Sequence, residues 1–334
     1  MKEQIWGLIL PLTLDPDPTP ADDSTYGGNN MDPATRSINT VRGEAMHALV
    51  RYGLWVARNT ATDEKFCFDD APEMRETLDC HLNSKNDPSL AIRSIYGEFY
   101  PWLNLLDTEW AQEAKSRIFS NDEFGLGDAA WDAYIKFCPP YDDILKVMPD
   151  IYTKHVKKLS SIRNNDDKEQ IPRSLVEHLI TFYWRSKLEL DGEILSTFYR
   201  CAPLKLRKYA LEFSGQSLNN TLDLDKNIEE RLKRLYEWRQ SLVMEGGEQE
   251  ELEGFYWWVG VAVIDKNWIL TKFHELLQAQ DKFDNLDLAA SKLGDYLDVD
   301  PVKVLDCMDM ILNKLNTQGG YFGWNDTAQD ETFA

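Results

Sequence analysis

The stretch INTVRGEAMHALVRYGLWV, Ile38–Val56, decides the fold class of this chain. Its apolar residues recur every three or four positions, which is the spacing of one face of an α-helix. They form two neighbouring stripes, one made of Val41, Ala45, Leu49, Tyr52 and Val56 and the other of Met46, Val50 and Leu54. A helix with two apolar sides has to pack between neighbours. The stretch therefore predicts a helix inside an assembly of helices.

One polar stripe remains on this predicted helix. Its members follow one another at helical spacings and are Thr40, Glu44, His47, Arg51 and Arg58. Under one interpretation they are ordinary neighbours on a solvated helix face, where such pairs contribute little. Under the other, the stripe lines a groove between packed helices and recognises a partner. The second interpretation makes Glu44, His47 and Arg51 candidate partner-binding residues.

The same periodicity continues along most of the chain. Amphipathic segments fall at about 88–106, 107–119, 127–138, 142–160, 172–187, 192–216, 225–244, 249–263, 266–280, 284–297 and 301–316. Asp-Pro pairs, a capping residue followed by a residue suited to a first helical turn, precede several of them, at Asp32, Asp87 and Asp300. The gaps are short, so successive helices should pack as antiparallel hairpins. The sequence predicts an all-α fold in an irregular HEAT-like or solenoid-like array.

Changes in composition divide the chain. Residues 1–36 are predicted to be an N-terminal segment and an acidic, proline-rich linker, with helical sequence beginning after it. The polar run RNNDDKEQ, Arg163–Gln170, is the best internal hinge. It separates a first helical subdomain, 37–163, from a second, 170–317, and a polar tail occupies 318–334.

The charge balance limits the class of partner. With 36 Lys and Arg against 57 Asp and Glu, the formal net charge of −21 repels phosphate backbones and anionic headgroups. Nucleic acid and membrane are therefore poor partners, and a protein partner is favoured. The five cysteines are widely spaced, without a CxxC pair or a secretory leader, which predicts a reducing, cytoplasmic location.

Motifs that carry chemistry are missing from the sequence. It contains no phosphate-binding loop, dinucleotide turn, HExxH or nucleophile elbow, so we expect no catalytic, cofactor-binding or metal-ligating residues and no cofactor. The alternative is a helical enzyme domain with an unrecognised carboxylate or histidine site. Asp107, Glu113 and Lys115 could form such a set, but a solvated helix face is the simpler interpretation.

Aromatic residues are abundant, with 11 tryptophans. Large aromatics dominate both protein cores and binding interfaces. In the run Phe255–Trp258 four consecutive aromatic residues cover more than one helix face, so they cannot all reach one core. This adds Tyr256, Trp257 and Trp258 to the candidate partner-binding residues, with at least one expected near the surface.

Four long stretches carry a family resemblance: DPATRSINTVRGEAMHALVRYGLWVAR (Asp32–Arg58), SLAIRSIYGEFYPWLNLLDTEWA (Ser89–Ala111), SLVEHLITFYWRSKLEL (Ser174–Leu190) and GFYWWVGVAVIDKNWIL (Gly254–Leu270). They resemble the C-terminal helical-repeat region of large bacterial STAND-type NTPases used in antiviral defence. The resemblance implies a non-catalytic sensor that binds a protein, with a viral protein as the expected ligand. It further implies a longer parent protein with an NTPase and an effector. The C-terminal sequence QGGYFGWNDTAQDETFA would suit a fragment of such a protein.

Overall fold

The computed structural model describes residues 1–19, 21, 31–59, 66–121, 125–162, 170–280 and 286–318. Across these ranges the chain is built of α-helices and short 3₁₀ segments, and they contain no β-strand. The predicted all-α class is confirmed. None of the described helices is both long enough and apolar enough to cross a membrane.

The described helices follow one another closely along the chain. Those before residue 140 are α1 Lys2–Thr13, α2 Pro33–Ser37, α3 Val41–Asn59, α4 Pro72–Leu82, α5 Leu90–Glu98, α6 Tyr100–Leu106, α7 Thr108–Ile118 and α8 Leu126–Phe137. Those after it are α9 Asp142–Val147, α10 Pro149–Lys158, α11 Gln170–Trp184, α12 Glu193–Cys201, α13 Leu204–Leu218, α14 Lys226–Met244, α15 Lys266–Ala279, α16 Leu286–Lys292 and α17 Pro301–Gln318. The 3₁₀ segments are Phe68–Asp70, Leu159–Ser161, Gln249–Trp258 and Leu293–Tyr296.

Two compact units divide the described residues. Unit 1 contains residues 1–155 together with 170–178, and unit 2 contains 156–162 together with 179–318. Each unit has its own buried apolar core. The predicted subdomain limits and the solenoid-like array remain predictions.

Several predicted elements differ from the structure. Helical sequence does not begin only after residue 36, because α1 precedes that residue and α2 already begins at Pro33. Helix α4 was not predicted from the apolar periodicity, because it is short and carries charged residues on most of its turns. The predicted helix at 249–263 is a 3₁₀ segment that ends at Trp258, and most of the predicted tail lies outside the described residues.

Two of the three Asp-Pro starts work as predicted. The Asp32 carboxylate accepts a hydrogen bond from the Thr35 backbone N–H at 2.9 Å, and Asp300 accepts one from Lys303 N–H at 3.0 Å. Helix α5 instead begins at Leu90 with Ser89 as its cap. Asp87 is buried and accepts from His81 Nδ1 at 2.8 Å. It therefore does not cap α5 itself, although it also accepts from the Ser89 backbone N–H at 3.2 Å.

The core of unit 1 is organised by a close crossing of α5 and α8. A Cβ added to Gly97 would lie 1.8 Å from the Ala130 carbonyl oxygen, so only glycine permits this separation. Beside it, Tyr134 and Tyr152 share a hydroxyl–hydroxyl hydrogen bond of 2.9 Å, and Tyr152 lies 2.8 Å from His178 Nδ1. His178 Nε2 donates to the Cys138 carbonyl at 2.8 Å, which fixes the Nε2–H tautomer. Burial lowers the pKa of His178 to about 4.

In unit 2 the 3₁₀ segment Gln249–Trp258 packs along α13. Glycines on both sides allow the approach, since a Cβ at Gly215 would meet the Trp257 backbone at 2.6 Å and one at Gly254 would meet the Lys208 carbonyl at 2.4 Å. The Trp258 indole N–H donates to the Leu211 carbonyl at 2.8 Å. This contact anchors the end of the segment in the core.

A buried ion-pair cluster ties the same segment to α14. Glu251 is fully buried and accepts from Arg239 Nε at 2.5 Å and from Arg239 Nη2 at 3.1 Å. The guanidinium of Arg207 on α13 lies 2.9 Å from the same carboxylate. Arg239 also stacks over the Tyr199 ring, 4.5 Å from its centroid. The charges are thus paired and hydrogen-bonded, as burial requires.

Candidate partner-binding surface

Helix α3 is held along its length by other elements of unit 1. At its start, a Cβ on Gly43 would lie 2.0 Å from the Ser37 carbonyl oxygen, so glycine allows α2 to fold back closely. Farther along, both predicted apolar stripes are largely buried, except that Leu54 is half-buried and Val41 is exposed. The helix is therefore packed on two sides, as its sequence predicts.

The polar stripe is divided by this packing. Thr40 and His47 are buried, whereas Glu44, Arg51 and Arg58 are exposed. The expectation that His47 lies on the outer stripe is wrong, because α2 and the end of α5 close over it. The sequence does not show that the neutral His47 imidazole can form its hydrogen bond with the Ser37 hydroxyl, ten residues earlier.

His47 forms a definite buried contact. The Ser37 hydroxyl donates to the Ala34 carbonyl at 2.7 Å, so His47 Nε2 acts as the donor across its 2.9 Å bond to Ser37 Oγ. The Phe99 ring packs edge-on against the imidazole with centroids 5.2 Å apart. Burial, aided by the Arg51 charge, lowers the pKa of His47 to about 4. The side chain therefore stays neutral and structural.

Next to the exposed members Glu44 and Arg51, Ala48 and Trp55 follow at spacings of three and four residues on the same side of α3. Ala48 and Trp55 are half-buried, and Trp55 stacks on Tyr52 with centroids 6.4 Å apart. Within the described residues, neither Glu44 nor Arg51 forms an ion pair within 4.0 Å. Both side chains are exposed and outside ion-pair distance, although the Arg51 charge acts at longer range on His47 and Glu98.

Helix α1 runs antiparallel to α3 beside this stripe. Near its beginning, Trp6 contacts Tyr52 with ring centroids 5.5 Å apart, while Leu12 near its end faces Val41 at the start of α3. Lys2 fastens the helix by donating to the Asp70 carbonyl at 2.8 Å. The N-terminal segment is thus part of unit 1, and sequence reasoning missed this role.

An open groove of 530 Å³ lies where α1 ends and α3 begins. Its lining is mainly apolar and consists of Ile9, Leu12, Asp17, Asn39, Thr40, Val41, Glu44, Ala45 and Ala48. Large apolar side chains on the same elements and the adjoining turns remain 42% to 73% exposed: Leu8, Leu12, Leu14, Ile38 and Val41. Of these, Leu12 and Val41 line the groove itself, and exposed apolar patches can mark sites of interaction.

The basic side chain nearest the groove in sequence, Arg42, is engaged by other groups of unit 1. Arg42 donates to the Asp15 carbonyl at 2.6 Å, and its Nε lies 3.1 Å from the Asp87 carboxylate. Asp17 on the groove wall accepts from the Val41 backbone N–H at 3.0 Å. At the groove, Glu44 therefore presents an unpaired negative charge, and Arg51 presents a positive charge one turn beyond Ala48.

The second candidate set belongs to unit 2 and is mostly inside it. Tyr256 and Trp258 are buried, and Tyr256 packs edge-on against Phe273 with centroids 6.1 Å apart. Trp257 is half-buried and keeps part of its surface accessible. The structure thus leaves Trp257 as the one member of the aromatic run that could contact a partner.

Two members of the set considered for an enzyme serve other roles, and the third, Glu113, is exposed on α7. Asp107 caps α7 by accepting from Trp110 N–H at 2.9 Å, and Lys115 pairs with Asp150 at 2.8 Å. In the described ranges no group of three or more His, Cys, Asp and Glu side chains could hold a metal ion. Comparison with protein-family models, curated proteins and solved structures finds no significant match.

Proposed function

We propose that this protein is a non-catalytic helical scaffold or sensor that binds a protein partner in the groove between α1 and α3. The observation that carries the proposal is the apolar lining of that groove, where Leu12 and Val41 stay exposed beside the carboxylate of Glu44, with Arg51 two turns farther along α3. Burying exposed apolar surface drives most protein association, and charged rims add specificity. The resemblance to sensor regions of antiviral NTPases supports a viral protein as this partner.

A lipid surface fits the groove less well than a protein does. The chain carries a net charge of −21, and an anionic membrane would repel it. The carboxylates of Glu44 and Asp17 stand at the groove itself, where a membrane-binding surface would need lysine or arginine. A protein segment can match both signs of charge.

Affinity capture from phage-infected and uninfected bacterial lysates tests the proposal. Ala48→Arg fills the groove, and Leu12→Ser removes apolar surface from a side chain that is already 48% exposed. The matched control is Leu222→Ser, because Leu222 is 99% exposed in unit 2. We expect a partner that wild type and the control retain and both groove variants lose. Equal capture by all four proteins would contradict the proposal.

A further inference from the structure

We propose that the segment bound in the α1–α3 groove is an amphipathic α-helix that places a basic residue against Glu44 and an acidic residue against Arg51. This inference rests on the proposed function and names the chemistry of its partner. It follows from the helical walls of the groove, from the unpaired charges beside it, and from their spacing along α3.

The walls of the groove select a helix. Both α1 and α3 satisfy their backbone hydrogen-bonding groups internally along most of their length, so an extended peptide would find no ladder of partners there. A helix brings its own backbone hydrogen bonds and presents apolar side chains at three- and four-residue spacings. The mainly apolar lining suits such a face.

The charges select the flanking residues of that helix. Glu44 is exposed, and the nearest basic residue in sequence, Arg42, is engaged by the Asp15 carbonyl and Asp87. Arg51 is exposed, and its charge opposes the rise that burial causes in the pKa of the neighbouring, half-buried Glu98, although the two groups form no ion pair within 4.0 Å. Neither charge has an ion-pair partner among the described residues. Complementary charges on the bound helix would supply an ion-pair partner for each.

The spacing of the two charges sets the pattern in the partner. Glu44 and Arg51 are seven residues apart, which corresponds to about 10.5 Å along the axis of an α-helix. A helix lying alongside α3 needs its basic and acidic residues at a similar separation, on the border of its apolar face. The expected sequence therefore carries one charge of each sign two turns apart.

Three synthetic helical peptides with the same apolar face test this pattern. They carry Lys and Glu, two Lys, or two Glu at positions seven residues apart, and fluorescence anisotropy measures their binding to the full chain. At about 0.15 M salt, where the Debye length of about 8 Å suppresses the field of distant charges, wild type should bind the Lys/Glu peptide most tightly. Each mismatched position should weaken binding about two- to fivefold.

Single charge reversals should change the order of affinity. Glu44→Arg should prefer the Glu/Glu peptide, and Arg51→Glu should prefer the Lys/Lys peptide. Glu76→Arg is the matched control, because Glu76 is exposed on α4 and its reversal changes the net charge equally. That control should keep the wild-type order. Thermal melts should show all variants folded.

The outcomes separate this inference from the proposed function. If Ala48→Arg abolishes binding but the charge reversals leave the order unchanged, the groove binds protein and the charge pattern is wrong. A wild-type preference for the Lys/Lys peptide, or an equal effect of Glu76→Arg, overturns the charge pattern as well. If no peptide binds, the inference that the bound segment is a helix is wrong. The capture experiment with the groove variants still tests whether the groove binds a protein. Full binding by Ala48→Arg contradicts the function itself.

Discussion

Replacing Glu251 with glutamine should destabilise unit 2 strongly. The change keeps the shape of the side chain but removes the charge that Arg239 and Arg207 face across distances of 2.5 Å and 2.9 Å. Both arginines would then lose their shared carboxylate, and Arg239 is itself buried. Breaking a buried ion pair by removing one partner typically costs about 3 to 5 kcal/mol. For a unit of this size, that lowers the melting temperature by on the order of 10 °C.

Differential scanning calorimetry measures this effect directly. Glu250→Gln is the matched control, because it makes the same chemical change one residue earlier at an exposed position and should leave the melting temperature unaltered. The double variant Arg239→Met with Glu251→Leu should recover most of the loss, since it leaves fewer uncompensated charges. If Glu251→Gln melts together with Glu250→Gln, the buried cluster does not stabilise the unit and the reasoning is wrong.

Two further predictions concern unit 1. Gly97→Ala should lower the urea concentration at the midpoint of unfolding, because its Cβ would lie 1.8 Å from the Ala130 carbonyl oxygen. Gly7→Ala on α1 is the control, since its Cβ has open space and should raise the free energy of unfolding by up to about 1 kcal/mol. The pKa of His178 is about 4 in the folded protein against an ordinary value of 6.5, so the unfolded chain takes up the proton first as the pH falls. Stability should therefore be fully present above pH 6.5 and decline towards pH 4, and His178→Gln should flatten this decline in urea midpoints measured across the range; an unchanged slope would contradict the assignment.

Periodicity predicted the fold class and most helices because burial of an apolar stripe is a local property of sequence. Periodicity was least effective for short helices and for segments that adopt a 3₁₀ conformation. Helix α4 is short and charged, and in the 3₁₀ segment at 249–258 four aromatic residues crowd a stretch pressed against Gly215 of α13. A 3₁₀ conformation of this kind depends on neighbours that are distant in sequence.

The candidate surface could be predicted only in part. The exposure of Glu44 and Arg51 followed from the polar stripe of α3, but the inward turn of His47 depends on where Ser37 and Phe99 are placed. The groove itself requires α1 to lie against α3. The available signal was the sequence IWGLIL in α1, apolar on more sides than a surface helix needs.

The most direct test of the account is site-specific photo-crosslinking of the partner to the groove. A photoreactive amino acid placed at Leu12, on the groove wall, should give a cross-linked partner in lysate from infected cells. The same group at Leu222, fully exposed in unit 2, should give none. A partner that cross-links equally from both positions, or only from Leu222, would contradict binding in the α1–α3 groove.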